Sequence, residues 1–203
     1  MRVGILGAGP VGQTLATKLR DLGHDVSIGT RTPRDGAVSY SEAARDAELL
    51  VNATGGTASL EALASAGAEN LAGKVLIDVS NALDASQGMP PRLAVANDDS
   101  IGEQIQRAYP ETRVVKALNT VNLQVMTDPA GVPGDHVLFV AGNDDGAKAQ
   151  VVELLGSFGW PAHRIVDLGD ITGARATEQY LVLWLRLLGR LGHARFNISL
   201  NQA

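Results

Sequence analysis

Arg2-Val3-Gly4-Ile5-Leu6-Gly7-Ala8-Gly9-Pro10-Val11-Gly12 decides the fold of this chain. An apolar run, Arg2 to Leu6, leads into three glycines spaced G-x-G-x-x-G, and a helical pattern opens directly behind them. A second strand candidate, Asp25 to Ile28, follows at the interval of a βαβ unit. The glycine spacing alone is weak evidence. Set between strand, helix and strand, it reads as the phosphate-binding turn of a dinucleotide fold. Gly7 makes the tight turn, Gly9 lets backbone N–H groups approach a diphosphate, and Gly12 lets helix and strand pack closely. The anion then meets the positive end of the helix dipole.

The next stretch, Gly29-Thr30-Arg31-Thr32-Pro33-Arg34, closes the second strand. Folds that prefer NAD place an Asp or Glu there to bind the ribose 2′-hydroxyl. Here no acid occurs until Asp35. Thr30 offers a hydroxyl, Arg31 a planar fork that suits a phosphate bidentately, and Arg34 a second positive charge. A carboxylate would repel a 2′-phosphate, so its absence points the same way. The cofactor read from the sequence is NADP(H).

Composition narrows the class. The 203 residues suffice for a sizeable core, and 45% are apolar, which argues against disorder. A formal net charge of −5 disfavours nucleic acid as a partner. With no cysteine, disulfides, thiol nucleophiles and cysteine-ligated metals are excluded. The first strand begins at residue 2, and no apolar run reaches the ~18 residues of a membrane span. The expectation is a cytoplasmic protein with no membrane partner.

Beyond the first βαβ unit, strand candidates are Val38–Tyr40, Leu49–Ala53, Lys74–Val79, Arg113–Ala117, His136–Ala141 and Arg164–Asp167. Helix candidates are Glu42–Asp46 behind a Ser41 cap, Ser59–Ala66, Ile101–Tyr109 and Asp145–Phe158, and Gly88 to Ser100 reads as a loop. This alternation predicts an α/β, Rossmann-type, doubly wound and mostly parallel sheet. Residues 1–168 form the cofactor domain in this reading, and 169–203 a helical extension. In that extension Ala176, Tyr180, Leu183, Trp184, Leu187, Leu188 and Leu191 fall on one helix face, widened by Leu181, Val182 and Leu185. So apolar a helix is expected to be largely buried, either under the sheet or against the same helix of a second subunit. A homodimer is the favoured reading.

Ligands of open α/β sheets bind beyond the carboxyl ends of the strands. The candidates there are Thr54-Gly55-Gly56, Ser80-Asn81 and Asn119-Thr120-Val121, all small or polar. Such groups suit a nicotinamide amide or a flat heterocycle as small-molecule substrate. Thr54, Asn81, Asn119 and Thr120 are the substrate-lining candidates. His24, His136, His163 and His193 are scattered, without metal-ligand spacing, and no catalytic triad suggests itself. Lys116 and Asp78 lie within strands, where pairing and hydrogen bonding are their expected roles. No catalytic acid–base residue and no metal site are assigned. Hydride transfer to a flavin-like ring fits this inventory, because the ring stabilises charge itself and the protein supplies proximity.

Val3-Gly4-Ile5-Leu6-Gly7-Ala8-Gly9, Gly29-Thr30-Arg31, Asp78-Val79-Ser80-Asn81 and Val114-Val115-Lys116-Ala117-Leu118-Asn119-Thr120-Val121 resemble the NADPH-dependent reductases of the deazaflavin coenzyme F-420. They are equally similar to the cytoplasmic oxidoreductase domain of the six-transmembrane epithelial antigen metalloreductases. The resemblance implies NADPH held through Gly9, Pro10 and Val11, with the 2′-phosphate on Thr30 and Arg31. It implies that Ala53, Thr54 and Gly55 flank the cofactor, that Asn81 contacts it, and that Asn119 through Leu123 face the nicotinamide and the acceptor. Coenzyme F-420, FMN and FAD are the acceptors to consider. Two other readings stay open: a non-catalytic NADP(H) sensor, and a small-molecule dehydrogenase of the β-hydroxyacid or imine type.

Overall fold

The computed structural model describes residues 1–34 and 36–201; Asp35 and the last two positions of the C-terminal extension lie outside them. In chain order the elements are β1 (Arg2–Leu6), α1 (Pro10–Asp21), β2 (Asp25–Thr30), β3 (Val38–Ser39), α2 (Tyr40–Arg45), β4 (Leu49–Asn52), α3 (Ser59–Ala66), α4 (Ala68–Leu71) and β5 (Val75–Asp78). They continue as β6 (Leu83–Asp84), β7 (Arg92–Leu93), α5 (Ile101–Ala108), β8 (Arg113–Ala117), α6 (Leu123–Thr127), β9 (Leu138–Gly142), α7 (Asp145–Phe158), β10 (Ile165–Asp167) and α8 (Ala174–Leu191). Eight strands make one sheet in the order β10-β9-β8-β5-β4-β1-β2-β3. Every neighbouring pair in it is parallel except β8 with β9. The doubly wound sheet expected from the sequence is therefore present. Its order reverses between β1 and β4, which opens a crevice at their carboxyl ends.

Period-2 alternation divides the core into two layers. Val3, Ile5, Leu49, Val51, Val75, Ile77, Val115 and Ala117 point to one face, where α1, α6 and α7 cover them. Leu6, Leu50, Leu76 and Val114 point to the other, against α2, α3 and α5. Each strand is buried on both sides, which is why it reads as a continuous apolar run. Register is tight: Ile5 lies beside Ile28 on β2 and Val51 on β4.

Apart from shifts of one or two residues at element ends, the local structure differs from the sequence reading in four places. The cap of α2 is Ser39, not Ser41. Ser39 Oγ accepts from Glu42 N–H while the Glu42 carboxylate accepts from Ser39 N–H, a capping box that starts the helix at Tyr40. The stretch from Gly88 to Ser100 contains β7, which pairs antiparallel with β6 through Asp84–Arg92 and Leu83–Leu93. Two-residue strands leave too little alternation to read. The short helices α4 and α6 were also not anticipated.

The C-terminal helix is buried only at its start. Ala174, Thr177, Glu178 and Leu181 face inward. Ala176 is exposed, and Val182, Leu183 and Leu191 are 54%, 54% and 47% exposed. The inward stripe is rotated from the one read off the apolar residues, because it is carried by a threonine and a glutamate. After α8 the chain turns back: Val137 N–H donates to Ile198 O at 3.0 Å, and Asn197 Nδ2 donates to Val137 O at 2.8 Å. Phe196 stacks on Trp184 with ring centroids 5.4 Å apart.

Candidate functional site

The three fingerprint glycines have three distinct environments. Gly7 has φ +123°, and a Cβ there would lie 2.5 Å from Ala53 O. A Cβ on Gly12 would lie 1.9 Å from Gly7 O, so the helix can sit this close to the turn only without a side chain. A Cβ on Gly9 would meet nothing within 4 Å; it would project into open space. Gly9 caps the 12-residue α1 with no side-chain hydrogen bond, Pro10 follows, and the first turn holds no acid. Backbone donors at a positive helix end thus face an open cradle that a Cβ would fill. These residues fit a diphosphate.

At the end of β2, Thr30 is partly buried and stands beside Ser39 of β3. Arg31 and Arg34 are exposed. The Arg31 guanidinium is 3.8 Å from the Glu61 carboxylate, with both side chains about 70% exposed. An ion pair this long and this wet is worth about 0–1 kcal/mol, so little opposes a turn of the fork toward a phosphate.

Between these loops and α8 runs a buried polar chain. Thr54 Oγ1 donates to Asn52 Oδ1 at 2.6 Å, and Asn52 Nδ2 donates to Ser59 Oγ at 2.9 Å and to Asp78 Oδ1 at 2.8 Å. Lys116 Nζ lies 2.8 Å from Asp78 Oδ2, 2.8 Å from Glu178 Oε1 and 2.6 Å from Ser80 O. Glu178 also accepts the N–H groups of Ile101 and Gly102 at the start of α5. Lys116, Asp78 and Glu178 side chains are 0%, 0% and 2% exposed. Burial alone would lower the Lys116 pKa, but the two carboxylates outweigh it and hold the ammonium above its ordinary value. Pairing, as the sequence suggested, is what this lysine does.

Beyond the carboxyl ends of β5 and β8 lies a cavity of about 190 Å³. Its floor is Asn81 and Asn119, whose side chains are joined: Asn81 Nδ2 donates to Asn119 O at 2.9 Å and Asn119 Nδ2 to Asn81 Oδ1 at 3.1 Å. Val11 and Leu123 close its sides, and Leu181 and Trp184 of α8 form its roof. None of the residues lining it is ionisable. Leu118, just before Asn119, has φ +64°, a left-handed conformation that costs a non-glycine residue about 1–2 kcal/mol. Asn119 Oδ1 and Trp184 Nε1 are buried without a hydrogen-bond partner among the described residues. An acceptor and a donor therefore wait at one cavity for groups such as a carboxamide or ring carbonyls.

Of the residues singled out from the sequence, Val11, Asn81, Asn119 and Leu123 meet in this cavity. Gly7, Gly9, Pro10 and Gly12 form the glycine turn that leads into α1. Thr54 is turned into the Asn52 network, Ala53 is half-buried and Gly55 is exposed. Thr120 is buried at 3% exposure and does not line the cavity.

With that geometry in view, the comparisons with known proteins converge. Residues 2–82 match the family profile "NADP oxidoreductase coenzyme F420-dependent". A crystal structure from Arthrobacter sp. FB24, provisionally assigned as an F-420-dependent NADP reductase, is 49% identical with a TM-score of 0.95, covering 100% of both chains. This protein belongs to the family of NADP oxidoreductases dependent on coenzyme F-420. Among curated relatives of the oxidoreductase, the F-420-dependent NADP reductase of Methanocaldococcus jannaschii is 31% identical over 120 residues, 59% of this chain and 52% of its own. The Rattus norvegicus metalloreductase STEAP3 is 29% identical over 196 residues, 92% of this chain and 37% of its own. The chain thus spans between about a third and a half of the lengths of these two relatives. Among the described residues of the oxidoreductase no helix is long and apolar enough to cross a membrane.

Sequence reasoning missed Asn52, Ser59 and Glu178, and the roof residues Leu181 and Trp184 as part of the site. Glu178 had a signal: it is the one acid in the apolar helix, and a lysine inside a buried strand needs a carboxylate.

Proposed function

We propose that this oxidoreductase transfers hydride between NADP(H) and a deazaflavin of the coenzyme F-420 type, with FMN and FAD as the acceptors to compare. The observation that carries this reading is the cleft above the Asn81–Asn119 pair, polar at its floor, aromatic at its roof and free of ionisable side chains. When bound, NADP(H) would supply or accept the hydride at its nicotinamide ring. Gly7, Gly9, Pro10, Val11 and Gly12 hold its diphosphate, Thr30, Arg31 and Arg34 its 2′-phosphate, and Ala53, Thr54 and Gly55 flank it. Asn81, Asn119 and Leu123 orient the reacting rings.

The chain's residues bind, align and exclude water; they move no proton. Solvent provides the proton that a reduced deazaflavin or flavin takes up. This is proximity catalysis, which needs donor and acceptor atoms about 3–3.5 Å apart. At about 190 Å³ the cavity is below the ~300–1,000 Å³ of drug-sized pockets, so a tricyclic acceptor would extend beyond it. Residues 1–168 act as the cofactor domain, and the extension that follows supplies this roof and the contact for a second subunit.

The test is NADPH oxidation with coenzyme F-420, FMN and FAD offered separately. Turnover is expected with the deazaflavin. Tight NADPH binding without turnover of any ring acceptor would overturn the proposal and favour a cofactor sensor.

A further inference from the structure

We propose that Lys116 and Glu178 are positioning residues that set the separation between floor and roof of the cleft, and so the stacking distance of the rings. The inference rests on the reading that both rings react in that cleft. Lys116 Nζ holds Ser80 O at 2.6 Å, one residue before Asn81, and Asp78 Oδ1 accepts Ser80 N–H at 3.1 Å. Lys116 itself stands on β8, three residues before Asn119. The same ammonium grips Glu178 at 2.8 Å, and Glu178 lies one helical turn before Leu181 and two before Trp184. One buried cation therefore ties the floor to the roof.

The tie has no slack. Glu178 also accepts from Ile101 N–H at 2.9 Å and Gly102 N–H at 3.1 Å, which locks α8 onto the start of α5. A Cβ on Gly102 would lie 3.0 Å from the Ala174 Cβ, so these helices are already in contact. With both carboxylates ionised the cluster carries one positive and two negative charges, and the two α5 N–H groups meet the surplus. Stability does not require this arrangement. Well-packed apolar residues of similar volume are often as stabilising as a buried ion cluster. What the ions add is direction: three short contacts from one nitrogen fix α8 against the strand ends, where apolar packing would let it slide.

Glu178→Gln and the paired exchange Lys116→Met with Glu178→Leu test this. The protein has two tryptophans, Trp160 and Trp184. Comparison with Trp184→Phe isolates the Trp184 emission and its energy transfer to the nicotinamide of bound NADPH, a direct gauge of roof height. Both variants are expected to bind NADPH within about twofold of the unmodified protein. They should show a clear drop in that energy transfer and lose at least tenfold in saturated turnover of coenzyme F-420. Unchanged energy transfer in either folded variant would overturn the inference. So would affinity and melting temperature falling together while transfer in the folded fraction holds. If the unmodified protein reduces no ring acceptor, the acceptor assignment fails by itself, and the optical arm still decides whether the ion cluster sets the roof.

Discussion

Gly9 and Gly12 are the same amino acid three positions apart, and the chain asks opposite things of them. Gly12→Ala drives a methyl to 1.9 Å from Gly7 O, and overpacking of that kind costs about 1–3 kcal/mol or more. A lowered melting temperature without ligand is the expected result. Gly9→Ala meets no atom, so stability should stay within about 0.5 kcal/mol while NADPH affinity falls. Thermal melts paired with NADPH titrations separate the two. At Arg31 the expected loss is of a charge-assisted contact worth about 1.5–3 kcal/mol, roughly tenfold or more in affinity. Arg31→Ala should therefore weaken NADPH far more than NADH; equal losses would remove the 2′-phosphate role. The glycine turn was legible in the sequence because its chemistry is local: a close approach of backbone to backbone needs glycine. Glu178 was hidden because its partner is 62 positions away and only the fold brings them together.

Elements were legible where periodicity is long. The helices Ser59–Ala66 and Asp145–Phe158 and the strand Arg113–Ala117 run as the pattern indicates. The β6–β7 pair and the start of α2 depend on one or two hydrogen bonds, which leave no periodic trace. Two elements also carry measurable predictions. On β8, Lys116→Met alone leaves Asp78 and Glu178 buried without their cation, and breaking a buried pair this way costs about 3–5 kcal/mol. Denaturant midpoints should show that loss, and the paired exchange with Glu178→Leu should recover part of it. On α5, a two-pronged bond from Arg107 is the main cause holding the Asp99 pKa at about 2. Its folded pKa is depressed, so its contribution is present above the unfolded value of about 3.9 and is lost as pH falls through about 2. Asp99→Asn should lower stability near neutrality, and its difference from the unmodified protein should shrink as pH falls from about 4 to about 2.

At the scale of the whole molecule, the wide apolar helix read from the sequence is half-covered by its own chain. Val182, Leu183 and Leu191 stay open along the outer half of α8. A second copy meeting this face is the proposed state, and light scattering should give about twice the 21.2 kDa chain mass. Leu183→Lys, by placing a charge in that contact, should return the mass to that of one chain without lowering NADPH affinity. Sequence could flag the apolar excess; it could not say which half the chain itself would cover, since that depends on where Glu178 anchors the helix.

The rims of the large sheet bear on the same question. β3 at one rim has two residues and β10 at the other has three. Strands so brief offer almost no free ladder for another backbone to extend. Growth by strand addition is thereby blocked at both margins, and self-association is confined to side-chain contacts that close upon themselves. Concentrated solutions of this oxidoreductase should stay clear, with no thioflavin-positive fibrils under conditions where the fold is intact.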